Sequence, residues 1–330
     1  MSASRFEFPP DKRELHRKAV RLEWLTIAYL LSATFLLFLT IGSSQAGKAA
    51  LVEDVLSIAP PLAFLIAARV RNRSPDDRHP WGHHRSVSIA YQASALALLL
   101  FGSFILIDSL LNLMAAEHPP IGVIEVFGET VWLGWPMLAA LVWSGVPAFF
   151  LGRAKMPLAE GLHDKVLYAD AKMNKADWLT SGAAIVGVFG IGLGLWWADA
   201  AAAIAISLDI VHDGYTNLRT SVNDLMDSRP THYDGSGPHP LVARLETAIG
   251  EMDWVEDGQV RLREEGHVFA GEALVVPAHD HGLVERLDQA ADELRALDWR
   301  LHDLVVVPVA RLEQHPDAPA PQADEAHCSS

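Results

Sequence analysis

The chain has little cysteine: one residue in 330, Cys328, in a polar C-terminal stretch. One thiol closes no disulfide within a chain and builds no cysteine-based metal cluster, so the polar part reads as cytoplasmic. No G-x-x-x-x-G-K-[ST] run is present, which leaves nucleotide-driven pumping without support. Positive charge is scarce in the last hundred residues, and the 26 Lys and Arg against 41 Asp and Glu give a formal charge of -15. A nucleic-acid partner is therefore not expected. The N-terminal MSASRFEFPPDKRELHRKAVR lacks the short apolar core and small-residue cleavage site of a removable signal, so the first apolar run is expected to stay as an anchor.

What the chain has instead is apolar length. Half of the residues are hydrophobic, too many for an ordinary soluble protein, yet charged residues make up 20%, too many for one lying wholly in lipid. Runs of spanning length lie near 22–42, 49–70, 87–114, 131–151, 173–196 and 198–218. Six crossings put both ends on one side. Lys12, Arg13, Arg17, Lys18 and Arg21 precede the first run; Arg69, Arg71, Arg73, Arg78 and Arg85 fill the second connection; Arg153, Lys155 and Lys165 fill the fourth. By the positive-inside rule that side is the cytoplasm, in a multi-pass cell-membrane protein.

After residue 228 the chain changes to SRPTHYDGSGPHP, a linker composition, and then to shorter periods. LVARLETAIGEM and LVERLDQAADELRAL read as amphipathic helices. QVRLREEG and VFAGEALVVPA read as strands joined by a tight turn at Gly266, and DLVVVPVA as a final strand. The fold expected is a membrane all-α domain of six helices plus a small cytoplasmic α+β module of α-β-β-α-β, ferredoxin-like order. The boundaries are 1–20 cytoplasmic N-terminal segment, 21–228 transmembrane domain, 229–238 linker, 239–312 dimerisation domain and 313–330 disordered tail.

Two acids, Glu53 and Asp54, fall in the second run, where a charge at membrane depth costs roughly 2.5 to 3.5 kcal/mol and so marks function, unless the helix starts later and leaves them among headgroups. In the fifth run Asp170, Asn174 and Asp177 recur at i, i+4 and i+7, one helix face with Met173 beside it. With Glu53 and Ser57 on the second run, these residues make an oxygen-rich cradle for a cation, and carboxylates take up protons when a cation leaves. Asp170 reads equally as part of the connection before the run. Pro60-Pro61 should kink the second helix just beyond Ser57, as a hinge or as a plain bend. The connection SPDDRHPWGHHR carries Asp76, Asp77, His79, His83 and His84, ligand types and spacing that suit zinc, or else a basic solvated loop with chance histidines. His267, His279, His281 and His302 are scattered and read as surface residues.

AALVEDVLSI, SPDDRHPWGHHR, ADAKMNKADWLTSGAA and WWADAAAAIAISLDI, in that order, resemble the cation diffusion facilitator family over roughly residues 15–312. The most specific match is Asp76-x-x-His79-x-x-x-His83, three positions that bind a metal near the membrane surface in that family. The resemblance implies a transport site at Glu53, Ser57, Met173 and Asp177. Ser57 and Met173 depart from the family's carboxylate and imidazole, so Asn174 or Asp170 stand as substitute ligands. A set without imidazole favours manganese, magnesium or ferrous iron over zinc as cargo, whereas Met173 alone leans the other way. The activity implied is divalent cation efflux in exchange for protons by alternating access, not an enzyme reaction, carried out by a homodimer in lipid. The alternative is a transport-inactive member that regulates or stabilises an active homologue. The final strand has no His or Asp after Asp303, so regulatory metal at the dimer interface is not expected.

Overall fold

A computed structural model describes residues 7–40, 55–115, 123–126, 129–132, 134–192 and 197–312. Glu53, Asp54 and the tail from 313 lie outside the described residues. The long helices are α1 (Pro10–Thr40), α2 (Ala59–Arg71), α3 (Ser86–Met114), α4 (Gly134–Leu162), α5 (Lys165–Gly192) and α6 (Ala198–Leu225). A hairpin of β1 (Val123–Val126) and β2 (Glu129–Trp132) precedes α4, with Val123 opposite Trp132 and Val126 opposite Glu129. The fourth helix was expected from residue 131; Val131 and Trp132 are instead strand, because β-branched and aromatic residues pair across the hairpin before Gly134 opens the helix.

The chain forms two compact units. One comprises Met1–His239 with Leu262–Ala270 and Trp299–His302; the other comprises Pro240–Arg261, Gly271–Asp298 and Asp303–Ser330. The first is helical and turned inside out relative to a soluble protein. Trp24 (60%), Phe38 (67%) and Phe150 (65%) stand exposed on helix surfaces, whereas Glu23, Lys155, Asp170 and Asp177 are buried between helices. Apolar rings outside and charges inside are what a lipid solvent selects. Among the described residues, two helices, Pro10–Leu39 and Ser86–Met114, are long and apolar enough to cross a membrane by length and composition.

Beyond residue 240 come α7 (Leu241–Gly250), β3 (Val255–Glu265), β4 (Val268–Pro277), α8 (Leu283–Ala296) and β5 (Leu301–Pro308), with the sheet in the order β3-β4-β5. In the second unit Leu241, Leu245 and Ile249 recur at i, i+4 and i+8 on α7 and are fully buried, as are Ala273 and Val275 on β4. Gly266, at φ +71°, makes the turn between β3 and β4 that a residue with a side chain would strain.

Candidate metal centre

The second helical run is not continuous. Val55 and Leu56 are helical, Ser57 and Ile58 form a turn, and α2 starts at Ala59 with Pro60 and Pro61 in its first turn. The helix expected to kink just beyond Ser57 is interrupted at Ser57–Ile58. Proline fits there because the first amides of a helix have no helical acceptor to lose.

That interruption places Ser57 against α5. Ser57 Oγ donates to Asp177 Oδ1 at 2.8 Å, and the two residues are 1% and 7% exposed. A hydrogen bond to a charged acceptor contributes about 1.5 to 3 kcal/mol. Asn174, 2% exposed, donates from Nδ2 to the Asp170 carbonyl at 3.0 Å, while its Oδ1 is buried with no hydrogen-bond partner. Met173 is 1% exposed and belongs to an apolar cluster with Leu98, Phe101, Ile105, Ala176 and Ile210.

Asp170 goes elsewhere. Its Oδ2 accepts from Lys155 Nζ of α4, and the same ammonium donates to Glu23 Oε2 of α1 at 3.2 Å. Lys155 was read as a cation of the fourth connection; α4 runs on to Leu162, and this lysine is fully buried. The opposite side of α5 carries Lys172 and Lys175, which pair with Asp213 and Asp209 of α6 at 2.9 Å each.

At the start of α5, His163 turns the chain with φ 50° and the Asp164 Oδ1 accepts from Leu167 N at 3.0 Å, capping the helix. Burial pushes the Asp164 carboxyl up to about 6, against a lowering by the Leu167 amide and the Arg71 charge. His267 was expected at the surface. It is buried instead, 3.3 Å from Asp164 and 3.2 Å from the Leu162 carbonyl, because the Gly266 turn carries it into the same unit as these residues. Burial first, and then the charges of Arg71 and His16, hold its imidazole well below the usual range. Lys165 Nζ sits between Asp224 (2.7 Å) and Glu264 (2.8 Å), a buried cluster with no letter pattern to announce it. His279 and His281 are exposed and His302 is half-buried.

The loop cluster is assembled. One ligand atom from each of Asp76, His79 and His83 lies within 4.8 Å of the others. Asp76 and His79 form an antiparallel bridge, and Asp76 Oδ1 accepts from the His79 amide at 2.7 Å and faces His79 Nδ1 at 3.0 Å. Those bonds, the amide first, hold the Asp76 carboxyl below its usual range, ready as an anionic ligand. The His83 ring lies 4.4 Å from that of His79, tilted by 35°, and its Nδ1 is buried without a hydrogen-bond partner. Two imidazoles and a carboxylate at this separation fit a zinc-type ion.

Residues 25–226, more than half of the chain, match the family profile described as the cation efflux transmembrane domain. The manganese efflux system protein MneP of Bacillus subtilis is 26% identical over 265 residues, covering 78% of this chain and 82% of its own. The zinc transporter ZitB of Escherichia coli is 28% identical over 272 residues, 80% of each chain. The magnetosome protein MamB of Magnetospirillum gryphiswaldense is 26% identical over 199 residues, 58% of this chain and 62% of its own.

Proposed function

Because this chain belongs to the cation efflux family, membrane proteins that are transporters of metal cations and not enzymes, we propose that it exports a divalent cation from the cytoplasm in exchange for protons. Six helices cross the cell membrane, both termini lie in the cytoplasm, and the protein works as a homodimer. The cargo site is built from Ser57 and Asp177, with Asn174 and Met173 on the helix of Asp177, and Glu53, four residues before Ser57 in sequence and outside the described residues. The observation that carries this reading is the buried Ser57–Asp177 bond, which joins the turn before α2 to α5 inside the bundle.

A carboxylate, an amide oxygen and a hydroxyl favour manganese, magnesium or ferrous iron as cargo. The similarity to a protein called a manganese efflux protein supports manganese first, and that to a zinc transporter keeps zinc in the panel. Asp76, His79 and His83 hold a zinc-type ion outside the cargo path, and alternating access carries the cargo ion. The departures at Ser57 and Met173 favour the second reading, an inactive partner of an active homologue. Reconstituted vesicles given manganese, zinc, magnesium and ferrous iron separate the two: ion-driven proton movement by this protein alone, lost in Asp177→Ala, supports transport, and no flux with any ion refutes it.

A further inference from the structure

We propose that the outward side of α1 carries a binding site for anionic phospholipid headgroups at Arg17 and Arg21. The proposal rests on the reading above that α1 crosses the membrane. With about 3.6 residues per turn, Arg17, Arg21, Trp24, Ala28, Leu31 and Phe35 fall on one side of the helix, and all six are exposed. The other side holds Ala19, Glu23, Thr26, Leu30 and Ala33, which are buried. One surface therefore passes from two cations to an unbroken apolar face. Trp24 stands at the changeover, and tryptophan favours the boundary between lipid and water. Arg21 and Arg17 lie roughly 4.5 and 10 Å from it along the axis, towards the N-terminus. A headgroup layer is roughly 5 to 8 Å deep, and a long arginine side chain reaches back towards it, so both guanidiniums attain phosphate depth.

The charge of this segment is not evenly available. Lys12 is paired with Asp11 at 3.7 Å, Arg13 with Glu7 at 2.6 Å and Lys18 with Glu14 at 2.8 Å. Arg17 and Arg21 form no ion pair among the described residues, and Glu14, which also feels Arg17, is already bonded to Lys18. A guanidinium fork matches phosphate oxygens through paired hydrogen bonds, and a leaflet with anionic lipid draws such cations to its surface. The apolar face decides for lipid over a soluble anion, because a phosphate held at Arg21 can lay its acyl chains along Leu31 and Phe35. Arg21 and Glu23 leave opposite sides of one turn. Glu23 Oε2 accepts from Lys155 at 3.2 Å, and Lys155 also bonds Asp170 on α5, the helix of Asp177. Holding Arg21 at headgroup depth therefore fixes the depth at which α1 meets α4 and, through it, the cargo helix.

The test uses full-length protein in micelles of an uncharged detergent, with the thermal unfolding midpoint read as phosphatidylglycerol, phosphatidylcholine or inorganic phosphate is added. Phosphatidylglycerol is expected to raise the midpoint by about 4 °C, and the other two by less than about 1 °C. Arg17→Gln combined with Arg21→Gln should remove at least about half of that rise. Lys12→Gln combined with Lys18→Gln takes the same charge from other sides of the helix and should keep it. An unchanged rise in the arginine variant overturns the proposal. So does an equal loss in the lysine variant, which marks diffuse charge, or an equal rise with inorganic phosphate, which marks a free-anion site. Each of these leaves the cargo reading standing. Recovery of the unaltered protein in solution without detergent overturns α1 as a crossing and both readings with it.

Discussion

Ser57 Oγ and Asp177 Oδ1 meet at 2.8 Å with both residues buried, a link between the turn before α2 and the second turn of polar residues on α5. The bond is buried, so its loss falls on whatever the carboxylate binds. Asp177→Ala is expected to lower cation flux at least about a hundredfold in vesicles, and Ser57→Ala about tenfold, in line with a charge-assisted bond of about 1.5 to 3 kcal/mol. Flux in Asp177→Ala equal to that of the unaltered protein would refute the assignment.

The loop cluster predicts a separable metal. Zinc bound per chain, counted after equilibrium dialysis, should fall by about one in His79→Ala or His83→Ala, because two remaining ligands hold zinc poorly. Flux in the same variants should drop only severalfold. A complete loss of flux would place the loop ion in the cargo path instead.

Asp164 predicts a pH dependence of stability. Its folded value is raised from 3.8 to about 6, so the stability it contributes is fully present below pH 3.8 and is lost as pH rises through 6. The difference amounts to at most about 3 kcal/mol. Asp164→Asn should therefore leave the denaturant midpoint in micelles nearly unchanged at pH 4 and raise it at pH 7.5. His267 acts in the other direction: its lowered value gives stability present above 6.5 and lost as pH falls, so His267→Gln should flatten the acid side of the profile. An Asp164→Asn profile parallel to that of the unaltered protein would contradict the burial of this carboxyl.

Helices α3 and α6 predict a steric effect. A Cβ on Gly214 would stand 2.7 Å from the backbone of Leu99, and one on Gly102 would stand 2.7 Å from the Ile210 side chain and 2.9 Å from Val211 N. Small residues let helix backbones approach this closely. Gly214→Ala and Gly102→Ala should each cost about 1 to 3 kcal/mol, since each added Cβ meets backbone atoms within 3 Å. Equal unfolding midpoints for both variants and the unaltered protein would mean that the helices are farther apart.

Much of this fold is legible from apolar run length and period. The long helices fall on the apolar runs, and α7, β3, β4, α8 and β5 follow the letters closely, because each buries one face of a regular repeat. What escapes is set by contacts between distant segments. Lys155 looks like a loop cation because lysine near an apolar run usually is one, and only Glu23 and Asp170, contributed by α1 and α5, make its burial tolerable. His267 looks exposed because it adjoins a turn, and turns are usually wet; the turn at Gly266 instead carries it against Asp164. The spacing of Asp76, His79 and His83 was readable because one short loop holds all three ligands.

The interruption at Ser57 has a chemical consequence for what can bind nearby. Pro60 and Pro61 carry no amide hydrogen, so the carbonyls of Leu56 and Ser57 are denied the donor that a helix would supply four residues later. Main-chain oxygens released in this way coordinate alkaline-earth and similar ions readily. A side-chain alphabet does not spell such oxygens out.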